Sequence, residues 1–178
     1  MSDTTHGTGH SRHDTPPSRH GLPPIWRADA RILLLGSFPG IASLTAGAYY
    51  AHPRNQFWTI LGALLEQPLP DLPYPERLER LRQHRIALWD TVGHCRRRGS
   101  LDANIRDAIG NEFQPLLARL PGLKLIAFNG KQAARRQPMF AALGYATAVL
   151  PSTSPAHASL NLQQKQTAWL TALSPWLR

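Results

Sequence analysis

The amino-acid sequence predicts an α/β protein with three αβα layers around a central, mainly parallel four-stranded sheet. Residues 32–35 and 86–89 form unbroken apolar runs, which are typical of strands covered on both faces. Residues 123–128 and 147–150 supply the third and fourth strands. Helical patterns separate these segments along the chain, and this alternation favours a parallel sheet with helices on both sides.

Turns and helices connect the predicted strands. The turn GSFPG at residues 36–40 ends the first strand, because glycine and proline disfavour continued regular structure there. A helix is expected from near Pro53 to Glu66, where large apolar residues recur at helical spacing. A proline-rich connection and a short helix at residues 76–83 follow. Further helices are expected at residues 131–143 and from Asn161 onward.

Residues 1–28 are expected to form a disordered tail ahead of a single domain at residues 29–178. The tail consists mainly of His, Ser, Thr, Gly and Pro, with almost no aliphatic side chain before Leu22. Its four histidines, His6, His10, His13 and His20, raise the alternative of metal binding. Their irregular spacing provides no preformed metal site, so a solvated polar tail is the preferred interpretation.

The chain is strongly basic. It has 20 Lys and Arg against 11 Asp and Glu, a formal charge of +9 and a sequence pI of about 10.8. Such a charge favours a polyanionic partner, with nucleic acid ahead of an anionic membrane. No apolar run is long enough to span a bilayer, and no signal-peptide pattern is present. The single cysteine, Cys95, excludes a disulfide framework and fits a reducing, cytoplasmic setting.

Three arginines, Arg96 to Arg98, precede Gly99 just beyond the second strand. They are expected to form a basic loop that contacts phosphates, with a solvated charge cluster as the alternative. Polar residues also follow every predicted strand: the GSFPG turn, Asp90, Asn129 and the segment at residues 151–159. Because the carboxyl ends of parallel strands share one edge, these residues are expected to form one ligand site.

Three segments together resemble the uracil-DNA glycosylase superfamily. GSFPG resembles its motif 1, YYAHPRNQFW at residues 49–58 resembles the adjoining pocket segment, and PSTSPAHAS at residues 151–159 resembles motif 2. The resemblance runs from Asp29 to the C-terminus and is greatest to the hypoxanthine (deoxyinosine) branch. Ser37 and Phe38 stand where uracil-excising relatives usually place an Asp, Asn or Glu.

The resemblance implies a monofunctional DNA repair enzyme that acts at the bacterial nucleoid. It would flip a deaminated base, most often hypoxanthine, out of single- or double-stranded DNA and hydrolyse the glycosidic bond. It implies a monomer without metal or organic cofactor, and the single cysteine excludes an iron–sulfur cluster. Two alternatives remain: a mismatch-directed glycosylase for uracil or another deaminated base, and an inactive DNA-binding protein of the same fold.

The resemblance also assigns catalytic candidates. Asn55 matches an asparagine on which the hypoxanthine branch relies, and it would orient water or hydrogen-bond the purine. Its structural alternative is a bond to the helix start. Ser37 and His52 are the other catalytic candidates, with a structural histidine as the alternative for His52. Lyase chemistry is not expected, because neither Lys124 nor Lys165 lies on the proposed edge.

The base-binding candidates are Tyr50, Phe38, Asp90 and Asn129. Tyr50 occupies the position of the ring that stacks on the base, with a core aromatic as the alternative. Asp90 takes the place of an asparagine in uracil-specific relatives, and a carboxyl group can accept from hypoxanthine or, when protonated, donate to it. An ordinary turn is the alternative for Asp90 and for Asn129, which precedes glycine.

The remaining candidates would hold the DNA. The residues expected to contact the DNA backbone are Gly36, Gly40, Arg54, Lys131, Ser152, Thr153 and Ser154. Relatives insert an apolar wedge into the duplex at the position of Ala156 or His157. Alanine is too short to fill the gap, so His157 is the expected wedge, with a plain loop histidine as the alternative.

Overall fold

A computed structural model describes residues 15–177 of the chain. Its strands are β1 (Ser18–His20), β2 (Ile32–Gly36), β3 (Ile86–Asp90), β4 (Val92–Arg96), β5 (Arg106–Gly110), β6 (Leu125–Asn129) and β7 (Ala146–Leu150). Its α-helices are α1 (Ile41–Ala46), α2 (Phe57–Leu65), α3 (Tyr74–Gln83), α4 (Gln114–Leu117), α5 (Gln137–Ala142) and α6 (Leu162–Leu173). Across these residues no helix is long and apolar enough to cross a membrane.

The central sheet has four parallel strands in the order β3-β2-β6-β7. All five residues of β2 are buried, which explains the unbroken apolar run at its start. Ile32 and Leu34 pack with α2 and α6, while Leu33 and Leu35 pack with aromatic and aliphatic residues near α4 and α5. The predicted three-layer architecture and its four parallel strands are therefore confirmed.

The helix expected from Pro53 begins four residues later, at Phe57. The backbone N–H of Asn55 donates to the carbonyl of His52 at 2.9 Å, so the residues after Pro53 form a turn instead. The C-terminal helix begins as predicted, because Asn161 and Gln164 form a reciprocal capping box at the start of α6. A short helix that was not predicted, α1, follows the GSFPG turn.

The expectation of a disordered tail is wrong for residues 15–28. Strand β1 pairs antiparallel with β4, and the edge of β4 thereby gains backbone partners. The hydroxyl of Tyr49 donates to the carbonyls of Leu22 and Pro23 at 3.2 and 2.9 Å, and the indole of Trp89 also donates to Leu22. Residues 1–14, with three of the four tail histidines, lie outside the described residues.

A second sheet, in the order β1-β4-β5, corrects the interpretation of the arginine cluster. Arg96 ends β4, and the side chain of Arg97 is fully buried. The Arg97 guanidinium donates to the carbonyl of Pro39 and lies 4.9 Å from the ring centroid of Phe38. The predicted phosphate contact is therefore wrong for Arg97. Its side chain instead stabilises the GSFPG turn through Phe38 and Pro39.

Candidate active site

The carboxyl edge of the central sheet opens into a cavity of about 420 Å³. The structure brings most of the predicted site residues to its walls: Gly36, Ser37, Phe38, Gly40, Tyr50, His52, Asn55, Asp90, Asn129, Ser152, Thr153, Ser154 and His157. Arg54 and Lys131 are exposed and lie outside this lining. The cavity forms here because β2, β3 and β6 end side by side, as the order of the strands requires.

Asp90 lies on the cavity wall at the end of β3, opposite Gly36 in the register of the sheet. Its side chain is buried, and its Oδ2 atom has no hydrogen-bond partner among the described residues. Burial, with a smaller effect of the nearby Asp102 carboxylate, raises the pKa of Asp90 to about 7, although Arg97 opposes the shift. A partly protonated carboxyl group, one oxygen of which is buried without a hydrogen-bond partner, therefore lies at the cavity wall.

Tyr50 is held rigidly beside Asp90. Its backbone has a φ of +54°, and its ring stacks on Phe57 at a centroid distance of 3.8 Å and an angle of 14°. Burial raises the pKa of its hydroxyl far above the ordinary value, so Tyr50 stays neutral. A Cβ placed on Gly36 would lie 2.9 Å from this hydroxyl and 2.4 Å from Asp90 Oδ1. The cavity wall therefore depends on the missing side chain of Gly36.

The amide of Asn129 is engaged by the protein itself. Its Nδ2 donates to the Tyr50 hydroxyl at 3.1 Å and to Thr153 Oγ1 at 2.9 Å, while its Oδ1 accepts from the Thr153 backbone at 3.0 Å. Asn129 therefore positions Tyr50 and ties the end of β6 to the motif 2 segment. The expected direct contact between its amide and a base would compete with all three bonds.

The hydroxyl groups of the motif 2 segment brace its own turn. Ser152 Oγ accepts from the backbone N–H of Ser154, and Ser154 Oγ accepts from that of Ala156, both at 3.2 Å. Thr153 is fully buried, so the predicted contact of its hydroxyl with phosphate is wrong. The imidazole of His157 lies within 3.2 Å of Ser159 Oγ.

Asn55 and His52 lie just before the N-terminus of α2. Asn55 Oδ1 accepts from the backbone N–H of Phe57 at 3.0 Å, which is the structural alternative considered for this residue. Its Nδ2 donates to no protein group within the described part of the chain, so two N–H bonds remain for a ligand. His52 is exposed, and its Nδ1 accepts from the backbone N–H of Arg54 at 3.1 Å.

Asp102 is a site residue that sequence reasoning missed. It lies in the 3₁₀-helix Asp102–Asn104, lines the cavity, and accepts from the Ser37 hydroxyl at 2.7 Å on each carboxylate oxygen. No local pattern connects it to Ser37, which is 65 residues earlier in the chain. It also follows no strand of the central sheet, and strand ends were the signal that located the other candidates.

Lys165 is closer to the site than the sequence indicated. It projects from α6, is buried, and donates to Gln56 Oε1 at 2.9 Å and to the carbonyl of His157 at 2.8 Å. Burial lowers the pKa of its ammonium group. Lys165 does not line the cavity. Its two hydrogen bonds connect Gln56, just before α2, to His157 in the motif 2 segment.

The fold and the site agree with the family that the chain matches. A model of the uracil DNA glycosylase superfamily matches residues 23–178, so the chain belongs to that superfamily. A protein of Methanosarcina barkeri, named "Hypoxanthine DNA glycosylase", is 38% identical over 149 residues, which are 84% of this chain and 94% of the relative. A protein of Methanosarcina acetivorans with the same name is 37% identical over 141 residues, 79% of this chain and 89% of the relative.

A solved structure supports the same assignment. The solution NMR structure of a candidate uracil DNA glycosylase from Methanosarcina acetivorans superimposes with a TM-score of 0.78. The two sequences are 36% identical, and the match covers 89% of this chain and 99% of that chain. The family match begins at residue 23, ahead of the boundary predicted at residue 29. This start agrees with the ordered contacts of Leu22 and Pro23.

Proposed function

We propose that this protein is a monomeric DNA glycosylase that releases hypoxanthine from deoxyinosine and leaves an abasic site. The observation that carries the proposal is the buried Asp90 carboxyl group with one unpartnered oxygen on the cavity wall. The polar groups of the cavity and its volume of about 420 Å³ suit a small, largely buried ligand. The relatives named hypoxanthine DNA glycosylase support this choice of substrate.

Asp90 suits a purine that leaves as an anion. During hydrolysis the sugar gains positive charge and the departing base gains negative charge. A carboxyl group with a pKa of about 7 is substantially protonated near neutral pH, so Asp90 can donate its proton to the base as the bond breaks. Asn55 acts beside it, with an Nδ2 group that is free to hydrogen-bond the purine or the attacking water.

A gel assay tests the substrate and the role of Asn55 together. End-labelled duplexes carrying one deoxyinosine or one deoxyuridine are treated with enzyme and then with alkali, which breaks abasic sites. We expect cleavage at deoxyinosine, and we expect Asn55→Ala to reduce it by about 10²-fold or more because the free donor is lost. Asn161→Ala is the matched control, since Asn161 also accepts at a helix start but lies outside the cavity.

The outcomes of this assay separate the alternatives. Cleavage at deoxyuridine alone would exclude hypoxanthine as the preferred base and retain the uracil alternative. Tight binding of both duplexes without cleavage would favour the inactive DNA-binding protein. Equal losses in Asn55→Ala and Asn161→Ala would mean that Asn55 serves only the helix start.

Leu101, which lines the cavity from a loop other than motif 2, provides an apolar wedge. Leu101 is 54% exposed at the cavity, and a leucine this exposed adds little hydrophobic stabilisation to the free protein. Two bonds fix its loop: Ser100 Oγ accepts from the Ile41 backbone at 2.9 Å, and Asp102 accepts from Ser37. A rigid leucine at this position can fill the gap that a flipped base leaves in the duplex.

Leu101→Ala is expected to slow base release from duplex DNA by about tenfold and to leave release from a single strand unchanged. Only the duplex has a stack that needs filling. Single-turnover rates on matched duplex and single-stranded deoxyinosine substrates measure the effect. Leu143→Ala is the control, because Leu143 is 56% exposed but lies outside the cavity. If His157→Ala slows base release from the duplex alone and Leu101→Ala does not, the wedge is His157 and not Leu101.

A further inference from the structure

A second carboxylate, that of Asp102, lines the cavity and contacts only the Ser37 hydroxyl among the described side chains. Asp102 forms no ion pair within the described part of the chain, and it does not cap its own 3₁₀-helix. The Ser37 hydroxyl is the single hydrogen-bond partner of its carboxylate there, and both carboxylate oxygens share it. A carboxylate that is neither paired nor capping is costly to place in a half-buried pocket, which points to a role with substrate.

We propose that Asp102 is the general base of the hydrolysis and that it takes the proton of the attacking water through the hydroxyl of Ser37. The inference rests on the proposed glycosylase function and deepens it. The motif 1 turn of this chain has no carboxylate or amide of its own, because Phe38 occupies that position and is packed under Arg97. The base is therefore supplied by a different loop, which reaches the same turn through Ser37.

The hydrogen-bond geometry permits the transfer. The Ser37 hydrogen is directed to Asp102, so the lone pairs of Ser37 Oγ remain available to accept from a water in the cavity. Ser37 follows the last residue of β2, and Asp90 ends the neighbouring strand β3. A base held near Asp90 would thus place its sugar near the Ser37 side of the cavity. Buried Asp90 lines the same cavity as Asp102 and has an oxygen without a hydrogen-bond partner, which is independent support for a ligand there.

The proton transfers balance. The oxygen of water forms a bond to C1′ of the sugar, and the bond from C1′ to the purine nitrogen breaks with its electron pair leaving on the base. The water proton passes to Ser37 Oγ while the Ser37 proton passes to Asp102. Asp90 gives its proton to the base, so neutral hypoxanthine and an abasic sugar with a 1′-hydroxyl are formed. Solvent then returns one proton to Asp90 and removes one from Asp102.

The surrounding charges favour Asp90 as the acid and Asp102 as the base. Burial raises the pKa of Asp102 above its ordinary value, and the Ser37 hydrogen bond and Arg97, just after β4, limit this rise. The charge of Asp102 in turn raises the pKa of Asp90 on β3. Cys95 and Tyr50 also lie within electrostatic range of Asp102, and both are neutral near pH 7 because burial raises the pKa of each. An ionised Asp102 therefore helps to keep Asp90 protonated, as an acid–base pair requires.

Asp102→Asn tests the proposal, since asparagine still accepts from Ser37 but is not a base. We expect the single-turnover release of hypoxanthine from a deoxyinosine duplex to fall by about 10²–10⁴-fold, with unchanged affinity for that duplex. The rate of the wild-type protein should fall as the pH drops through the pKa of Asp102, and Asp102→Asn should lose this acid limb. Ser37→Ala should be slower than wild type, and the double variant should be no slower than Asp102→Asn.

Asp71→Asn is the matched control, because Asp71 is exposed and lies outside the cavity. An Asp102→Asn variant that keeps both the rate and the acid limb of the wild-type protein would overturn the inference. A variant that binds the duplex more weakly but keeps the acid limb would also overturn it, because that result indicates a purely structural role. Failure of the wild-type protein to release any base would instead refute the proposed function on which the inference rests.

Discussion

Asp90→Asn is expected to abolish most of the activity while making the protein more stable at alkaline pH. Asparagine keeps the size and hydrogen-bonding capacity of the side chain but has no acidic proton for the departing base. The rate of hypoxanthine release near neutral pH should therefore fall by about 10²–10⁴-fold. In the wild-type protein the rate should also decline as the pH rises above the pKa of Asp90, about 7. The variant should lack this alkaline limb.

The stability effect has the opposite sign. The pKa of Asp90 lies at about 7 in the folded protein, above the ordinary value of 3.8 for an unfolded chain. Between these two values the folded state binds more protons, so the free energy of unfolding decreases as the pH rises. Above pH 7 the folded protein therefore carries the full cost of a buried charge, on the order of a few kcal/mol. Asparagine removes that cost.

Thermal unfolding of both proteins at about pH 5 and about pH 8 measures this difference. The melting temperature of Asp90→Asn should exceed that of the wild-type protein most clearly at the higher pH. Asp71→Asn, at an exposed site, should show no such pH-dependent gain. An Asp90→Asn variant that is inactive but less stable at both pH values would indicate a structural role for Asp90 and contradict its role as the acid.

Strand patterns located Asp90 but not Asp102, and the reason is physical. Buried parallel strands impose unbroken apolar runs, and the chain must leave the sheet at one edge, so a polar residue directly after such a run lies at the site. Asp102 reaches the cavity through a tertiary hydrogen bond to Ser37, and no local pattern encodes such a bond. The same limit applies to Lys165, whose buried ammonium group contacts a carbonyl on another segment.

Composition was misleading where backbone pairing or packing outweighed it. The polar residues 15–28 were expected to be disordered, yet β1 completes the edge of β4, and Leu22 accepts from Tyr49 and Trp89. The arginine cluster suggested a phosphate-binding loop, yet Arg97 is buried against Phe38. In both places the deciding interactions are between residues far apart in the sequence, and counts of polar or charged residues do not report them.

Gly36→Ala is expected to inactivate the enzyme without unfolding it, because one methyl group displaces both sides of the cavity wall. The added Cβ would lie 2.4 Å from Asp90 Oδ1 and 2.9 Å from the Tyr50 hydroxyl, so both side chains must move. Overpacking of this kind costs about 1–3 kcal/mol of stability. A displacement of about 1 Å at a reacting group can reduce the rate by about 10²-fold. Single-turnover release of hypoxanthine and thermal unfolding measure the two effects separately.

Gly122→Ala is the matched control for this substitution, since a Cβ there meets nothing closer than 3.8 Å. It should leave both the rate and the melting temperature unchanged. A Gly36→Ala variant with the wild-type rate would show that the cavity wall yields without consequence, and the proposed contact of Asp90 with the base would then be wrong. A folded but inactive Gly36→Ala variant would place the chemistry at the junction of β2 and β3, because the groups nearest to the methyl group are the Asp90 carboxyl and the Tyr50 hydroxyl.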